Sequence, residues 1–366
     1  MKKFTLVRAG LLSAAVLIIS CFLLCPAFAE TYFNADDLFT SRDLRQEAKM
    51  SKAIPLELSD GQDILIDTAG VYVLTGTVSG TTVYVEADDE DKVQLVLDGV
   101  SITNVDFPCI YVKSADKVFV TTSADSVLSV TGAFRADGST KTDGVIFSRS
   151  DLVLNGTATL TVSSPDNGIV SKDDLKVTGG TYVITAATIC FETHDSIRIA
   201  GGTMNLTAGT DGFHAENDKD NDKDYIYICG GNITIQAGDD ALHATSVIQI
   251  DGGTIDVTAA EGMESTLVQI NGGTISVSAS DDGINAGRKS KAYPPLVEIT
   301  GGEVAIAVSS AESDAIDSNG DIVISGGTVT LTGSSPFDYE DTGEYSGGTL
   351  VINGETWSDP ELPNHP

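Results

Sequence analysis

Between residues 143 and 332 short bursts of alternating apolar and polar residues meet at glycine pairs. The clearest copies are V-I-Q-I-D-G-G-T-I-D-V-T-A-A-E-G-M-E from Val247 and L-V-Q-I-N-G-G-T-I-S-V-S-A-S-D-D-G-I-N from Leu267. Each copy is two strand-length alternations joined at Gly-Gly, followed by an acidic turn and a third short strand. The pairs fall at 179/180, 201/202, 230/231, 252/253, 272/273, 301/302, 326/327 and 347/348, at spacings of 22, 29, 22, 20, 29, 25 and 21. A fixed period of this size marks a repeat architecture. The bursts are rich in Thr, Val, Ile and Ser and lack the i, i+3, i+4 spacing of helices. The fold predicted is all-β: a right-handed parallel β-helix with coils of about 20–22 residues, rising about 4.8 Å per coil.

The pattern also divides the chain. Residues 1–29 read as a secretory leader: Lys2, Lys3 and Arg8, an apolar run over 11–24, and Ala27-Phe28-Ala29 before Glu30. An uncleaved anchor or lipidation at Cys21 are the other readings of that segment. No later run is long and apolar enough to span a bilayer as a helix. Residues 30–54 are polar and mixed, a linker or N-terminal cap. Residues 55–354 form the β-helix, irregular before 143 because Gly-Gly turns are absent there. Residues 355–366 are a Pro-rich tail suited to covering the open end, where strand edges would otherwise be exposed.

Charge changes the picture next. Lys and Arg number 21 against 53 Asp and Glu, a net −32 to which the leader contributes three cations. Such a chain repels nucleic acid and anionic membranes. Its acids gather at corresponding turns, where carboxylates crowd unless a cation lies among them, and calcium is the expected cation outside the cell. Past the leader only Cys109, Cys190 and Cys229 remain, an odd number that provides no disulfide framework. The chain is expected to be exported and monomeric.

Aligning the turns by their first acid gives Asp211, Asp240, Glu261, Asp282 and Asp314. Three residues on come His214, His243, Glu264, Asn285 and Asp317, which alternation points outward as a ladder on adjacent coils. From acid to next Gly-Gly the distances are 19, 12, 11, 19 and 12 residues. Two coils therefore carry insertions at the same corner, three coils or about 14 Å apart, flanking a shallow wall. The first insertion, E-N-D-K-D-N-D-K-D from Glu216, places oxygen ligands at alternating positions without the Gly and Glu of an EF-hand. The candidate calcium ligands are Asp211, Glu216, Asn217, Asp218, Asp220, Asp222, Asp224, Asp239 and Asp240, with a second group of Glu261, Glu264, Asp281 and Asp282. His214 and His243 near Glu264 read either as a zinc site or, more simply, as an outward polar ladder. The second insertion supplies Arg288, Lys289, Lys291 and Tyr293, which with His214 and His243 are candidate contacts for a polysaccharide. They read equally as a basic loop pairing with the acidic one.

The stretch D-G-F-H-A-E-N-D-K-D-N-D-K-D-Y-I-Y-I-C-G-G-N-I-T-I-Q-A-G-D-D-A-L-H-A, with the acid turns that follow and S-D-A-I-D-S-N-G-D-I-V-I-S-G-G-T-V, resembles the secreted clostridial carbohydrate-binding β-helix family. The resemblance spans about 56–354. It implies a pectate-lyase-like fold, calcium binding, and binding of cellulose and polygalacturonate-type polymers without an established catalytic role. Where that family usually writes D-G, this chain has Asp240-Ala241 and Asp314-Ala315.

Three functions stand on these residues. The first is a secreted or cell-surface, calcium-stabilised, non-catalytic binder of cellulose or an acidic plant-type glycan. The second is a calcium-dependent pectate lyase with Lys289, Lys291 or Arg288 as base. A base on a flexible insertion is poorly held, which weighs against it. The third is a structural or adhesin stalk.

Overall fold

The computed structural model describes residues 31–217 and 223–364. The expected leader lies outside the described residues, as do Asp218, Asp220 and Asp222 of the first insertion. From Tyr32 onward the chain is a parallel β-solenoid of about 12 turns, with coils about 23 residues apart and almost no helix. The all-β solenoid is the fold that the period predicts. The mean coil exceeds 20–22 residues because insertions and irregular coils add to the bare repeat of 20 seen between Val247 and Leu267.

A coil has three faces, as in Val247–Ile250, Thr254–Ala259 and Glu261–Ser265. The first two faces merge into one 22-stranded sheet, because in early coils single strands such as Leu175–Ala186 run across both. The third is a separate sheet of 12 strands. The two residues of the glycine pairs serve different ends. Gly273 has φ +91, a left-handed conformation that favours glycine. A Cβ on Gly272 would lie 2.5 Å from the carbonyl oxygen of Asp251 on the previous coil, so the coils stack this closely only without a side chain.

Inside, alternation gives stacks of like residues. The third face contributes Ile146, Ile169, Phe191, Phe213, Leu242, Met263, Ile284, Ile316 and Phe337 in register. All are fully buried in one continuous core. Phe191 and Phe213 stack with ring centroids 5.2 Å apart. Cys109 and Cys190 are core residues, and burial pushes each thiol up to about 12.

Two chain ends fold onto the solenoid. The N-terminal segment crosses the outer side of the first face. Phe33 stacks on Tyr225 at 3.9 Å, Asp43 meets Lys176 at 3.3 Å, and the Arg42 guanidinium lies 4.4 Å from the Phe119 ring centre. The Gln249 amide donates to the Phe33 carbonyl and accepts its N–H. At the other end Glu355–Trp357 pairs antiparallel with Thr349–Ile352, and Leu362 inserts into the core. The last coil's edge is thereby covered.

Candidate functional site

The outward positions of the third face form one ladder through all 12 strands. It runs Leu65, Tyr84, Tyr111, Phe147, Val170, Glu192, His214, His243, Glu264, Asn285, Asp317 and Asp338. Its first five rungs are apolar or aromatic, and the remaining seven are charged or polar. Alternation aims these side chains away from the core, so their surroundings come from the loops and from one another.

The aromatic rungs are covered. Tyr111 and Phe147 are edge-to-face at 5.6 Å, and both are buried together with Phe107 and Val170. The polar segment 133–142 supplies the cover: Arg135 lies 4.0 Å from the Phe107 ring centre, and Asp137 pairs with Lys113 at 3.3 Å.

The charged rungs are held by their own turns. The motif Asp-x-x-His occurs twice, and in each copy the Asp carboxylate meets the imidazole Nδ1. The distances are 2.7 Å for Asp211–His214 and 2.6 Å for Asp240–His243. The two rings stack with centroids 4.5 Å apart and planes 10° apart. Glu216 Oε2 is 3.1 Å from His214 Nε2, and Glu264 Oε2 is 3.0 Å from His243 Nδ1. Lys289 from the second insertion reaches Glu264 at 2.6 Å. The turns are tied between coils as well: Asp240 N–H donates to Asp211 Oδ1, and Asp314 N–H donates to Asp282 Oδ1.

Protonation follows from this crowding. Burial pushes the Glu261 carboxyl up to about 8, with Asp240 and Glu264 adding to it. Asp317 rises to about 7, first through burial and then through Asp282, Asp338 and Asp314. Burial raises Asp282 to about 6, with Asp281, Asp314 and Asp338 adding to it, although it accepts the Asp314 N–H. Burial opposes the charging of His243, yet its hydrogen bonds to Asp240 and Glu264 outweigh that and raise it. Glu264 goes the other way: burial would raise it, but His243 and Lys289 hold it low.

Each candidate residue among the described ones has a place. Asp211, Asp240, Glu261, Glu264, His214 and His243 come together on three adjacent coils. Asp281 and Asp282 lie on the next coil, where Asp281 accepts a hydrogen bond from Ser313. Asp239 is exposed. From the first insertion, Asn217 donates to Asp195 Oδ1 at 3.0 Å, and Asp224 is fully buried with its Oδ1 lacking a hydrogen-bond partner among the described residues. In the second insertion Arg288 pairs with Glu340 at 2.7 Å, and Lys291 is exposed. Tyr293 packs edge-to-face on Tyr32 at 5.7 Å, on the first face rather than the third. The basic loop thus pairs with acids of neighbouring coils.

A cleft of about 670 Å³, within the range of ligand sites, opens on the N-terminal side of the first insertion. It is lined among others by Lys141, Asn167, Lys172, Glu192, His194 and His214. Lys172 Nζ is 2.6 Å from Glu192 Oε1, and Asn167 donates to Glu192 Oε2. Thr188 donates to Asp166 Oδ1 at 2.9 Å, and Lys141 pairs with Asp143 at 3.0 Å. This floor of alternating donors and acceptors was not among the expected residues. Its signal was present: Phe191-Glu192-Thr193-His194 occupies the register of Phe213-His214-Ala215-Glu216 one coil earlier.

The comparisons agree with the geometry. The family described as carbohydrate-binding domain-containing protein matches residues 60–338. A curated relative of that description from Acetivibrio thermocellus is 35% identical over 130 residues, 34% of this chain and 46% of the relative. The chain thus spans about half the length of that relative. A solved structure, the polysaccharide lyase-like protein from C. thermocellum in a gadolinium derivative, aligns with TM-score 0.53 at 32% identity. The alignment covers 62% of this chain and 96% of that one. With its β-solenoid and a family match over most of its length, the chain belongs to the carbohydrate-binding domain-containing protein family.

Proposed function

We propose that this chain is an exported, calcium-stabilised binder of an extended polysaccharide, cellulose or a polygalacturonate-like polymer, and that it performs no chemistry on it. The observation carrying this reading is the cleft on the third face, whose floor offers paired donors and acceptors along the solenoid axis. Sugar hydroxyls both donate and accept, so a floor of Lys172, Glu192, Asn167 and Thr188 can serve them without burying an unpaired charge. Two of the three candidate lyase bases are engaged, Lys289 by Glu264 and Arg288 by Glu340, and the third, Lys291, is exposed on the insertion, where nothing positions it as a base.

The residues fit calcium on two counts. Asp224 is a buried carboxylate with an oxygen unsatisfied among the described residues, and Asn217 and Asp195 lie beside it. On later coils Asp282, Asp314, Asp317 and Asp338 bring carboxylates together in successive register, with Asp317 directly opposite Asp338. Hard oxygen ligands of this kind are what calcium takes, and its charge would relieve their mutual repulsion.

The test is retention of the full chain on insoluble cellulose and retardation in a gel containing polygalacturonate, with ultraviolet absorbance followed for an unsaturated product. The reading expects retention on at least one polymer, weakened by a Lys172→Gln, Asn167→Ala double variant, and no product. Product formation would turn the reading to a lyase. Retention on neither polymer by a folded protein would leave only the stalk.

A further inference from the structure

We propose that His214, His243 and Glu216 form a binding site for a divalent transition metal of the zinc class, separate from the oxygen-only sites suited to calcium. Three features of the geometry carry it. His214 and His243 are direct register partners on adjacent coils, and their rings are nearly parallel. Each Nδ1 faces a carboxylate at hydrogen-bond distance, Asp211 at 2.7 Å and Asp240 at 2.6 Å. A carboxylate that accepts a hydrogen bond from Nδ1–H fixes the tautomer whose neutral ring carries its lone pair on Nε2, and this arrangement orients histidines as metal ligands; at His243, whose charged form Asp240 and Glu264 favour, the ion would displace the Nε2 proton. Because the rings are parallel and in register, both Nε2 atoms present on the same side.

The third feature is Glu216, the residue two places after His214. Its Oε2 lies 3.1 Å from His214 Nε2. One ligand atom from each of the three residues falls within 4.8 Å of the others. In a tetrahedral zinc site with bonds of about 2.0–2.1 Å, neighbouring ligand atoms are separated by roughly 3.3 Å. The His214–Glu216 edge is therefore already at that separation. The His–His edge is set by the stacking of coils, and because the rings are nearly parallel they must splay about their side-chain bonds for both Nε2 atoms to converge on one ion. Two imidazoles and one carboxylate would leave a fourth position open, and two of the three residues, His214 and Glu216, also line the cleft.

The donor set excludes the cation proposed for the other turns, since calcium takes oxygen ligands. It is also local. The chain has four histidines, and two of them stack here, whereas the rungs on either side are Glu192 and Glu264. The aspartate behind each ring is the turn acid that the aligned repeats carry, but a glutamate converging on the Nε2 edge is not part of the repeat. His243 is further held at Nδ1 by Glu264, which Lys289 fixes in turn.

The experiment uses the full chain, freed of metal by chelation and returned to excess calcium so that oxygen-only sites are filled. Cobalt is added as a spectroscopic probe, and zinc is then titrated calorimetrically. The expected result is one equivalent of zinc, displacing cobalt whose visible bands report nitrogen ligation. His243→Gln and Glu216→Gln should each weaken zinc binding by roughly tenfold or more, while Glu312→Gln, on an exposed turn, leaves it unchanged. Should His243→Gln fail to fold, Glu216→Gln decides, because that side chain is half exposed and its amide preserves the fold. Absence of saturable zinc binding in excess calcium, or an affinity unchanged in Glu216→Gln, overturns the proposal.

Discussion

The third face solves one geometric problem in two ways. From Leu65 to Val170 its outward rungs are apolar and aromatic, and the segment 133–142 folds over their middle so that Tyr111, Phe147 and Val170 are buried. From Glu192 to Asp338 the same backbone, in the same parallel register, presents charge to a cleft and to neighbouring turns. The first half stabilises itself by excluding water. The second half brings carboxylates to the spacing of the coils and needs counter-charge, which Lys172 and Lys289 supply for some rungs and which calcium is proposed to supply for others. Stability in a solenoid is a sum of coil and nearest-neighbour terms, so the two halves should answer to different variables.

The largest break in this contrast comes from the covered half. Tyr111→Ala removes a buried ring from the aromatic cluster and should cost about 3–4 kcal/mol, by the same amount with and without calcium in denaturant titrations. Chelation should act on the other half: removing an ion held at about a hundredfold above its dissociation constant costs about 2.7 kcal/mol, seen as a lower melting temperature restored by calcium.

Asp317→Asn sharpens the difference by its sign. Without calcium it relieves repulsion from Asp338, Asp282 and Asp314 and should stabilise by on the order of 1 kcal/mol, discounted for partial exposure. With calcium it removes a ligand and should destabilise. Asp173, in the turn between the last apolar rung and the first charged one, tests the boundary by pH. Burial, with Asp151 and Asp174, raises its carboxyl to about 6, so the folded state binds the proton more tightly than the unfolded state. Its ionisation therefore erodes stability as pH rises from about 4 to about 6. Asp173→Asn should be more stable than the natural chain at pH 7, by up to about 1 kcal/mol after discounting for exposure, and no different at pH 3. Arg288→Ala should leave the melting temperature unmoved, since its pair with Glu340 is exposed.

What could be read from the residues followed the regularity of the repeat. The glycine pairs and flanking alternation specify the coil, and the Asp-x-x-His spacing places His214, His243, Glu264, Asn285 and Asp317 on one ladder, because register in a β-solenoid is set by the inward apolar rung. The aromatic half was not legible: coils before the first pair at 179/180 turn without Gly-Gly, so Tyr84, Tyr111 and Phe147 share no local motif, and their cover comes from a segment that reads as an ordinary polar loop. The cleft was missed for a related reason. Its floor joins Lys141 from that loop to Lys172 and Glu192 from two different coils, and sequence spacing says little about how such side chains pair. Tyr293, a candidate sugar contact, meets Tyr32, some 260 residues earlier in the chain, on the first face, a pairing that sequence spacing does not give.

The central claim is that the charged half of the third face depends on bound cations and the aromatic half does not. Amide hydrogen exchange, resolved coil by coil with calcium and with chelator, tests it most directly. The account predicts that chelation speeds exchange in Glu261–Ser265, Ile284–Ala286, Asp314–Ser318 and Ser335–Tyr339 while Val83–Glu86, Ile110–Ser114 and Gly144–Ser148 keep their protection. Equal loss along the whole solenoid, or no loss in the charged coils, would contradict it.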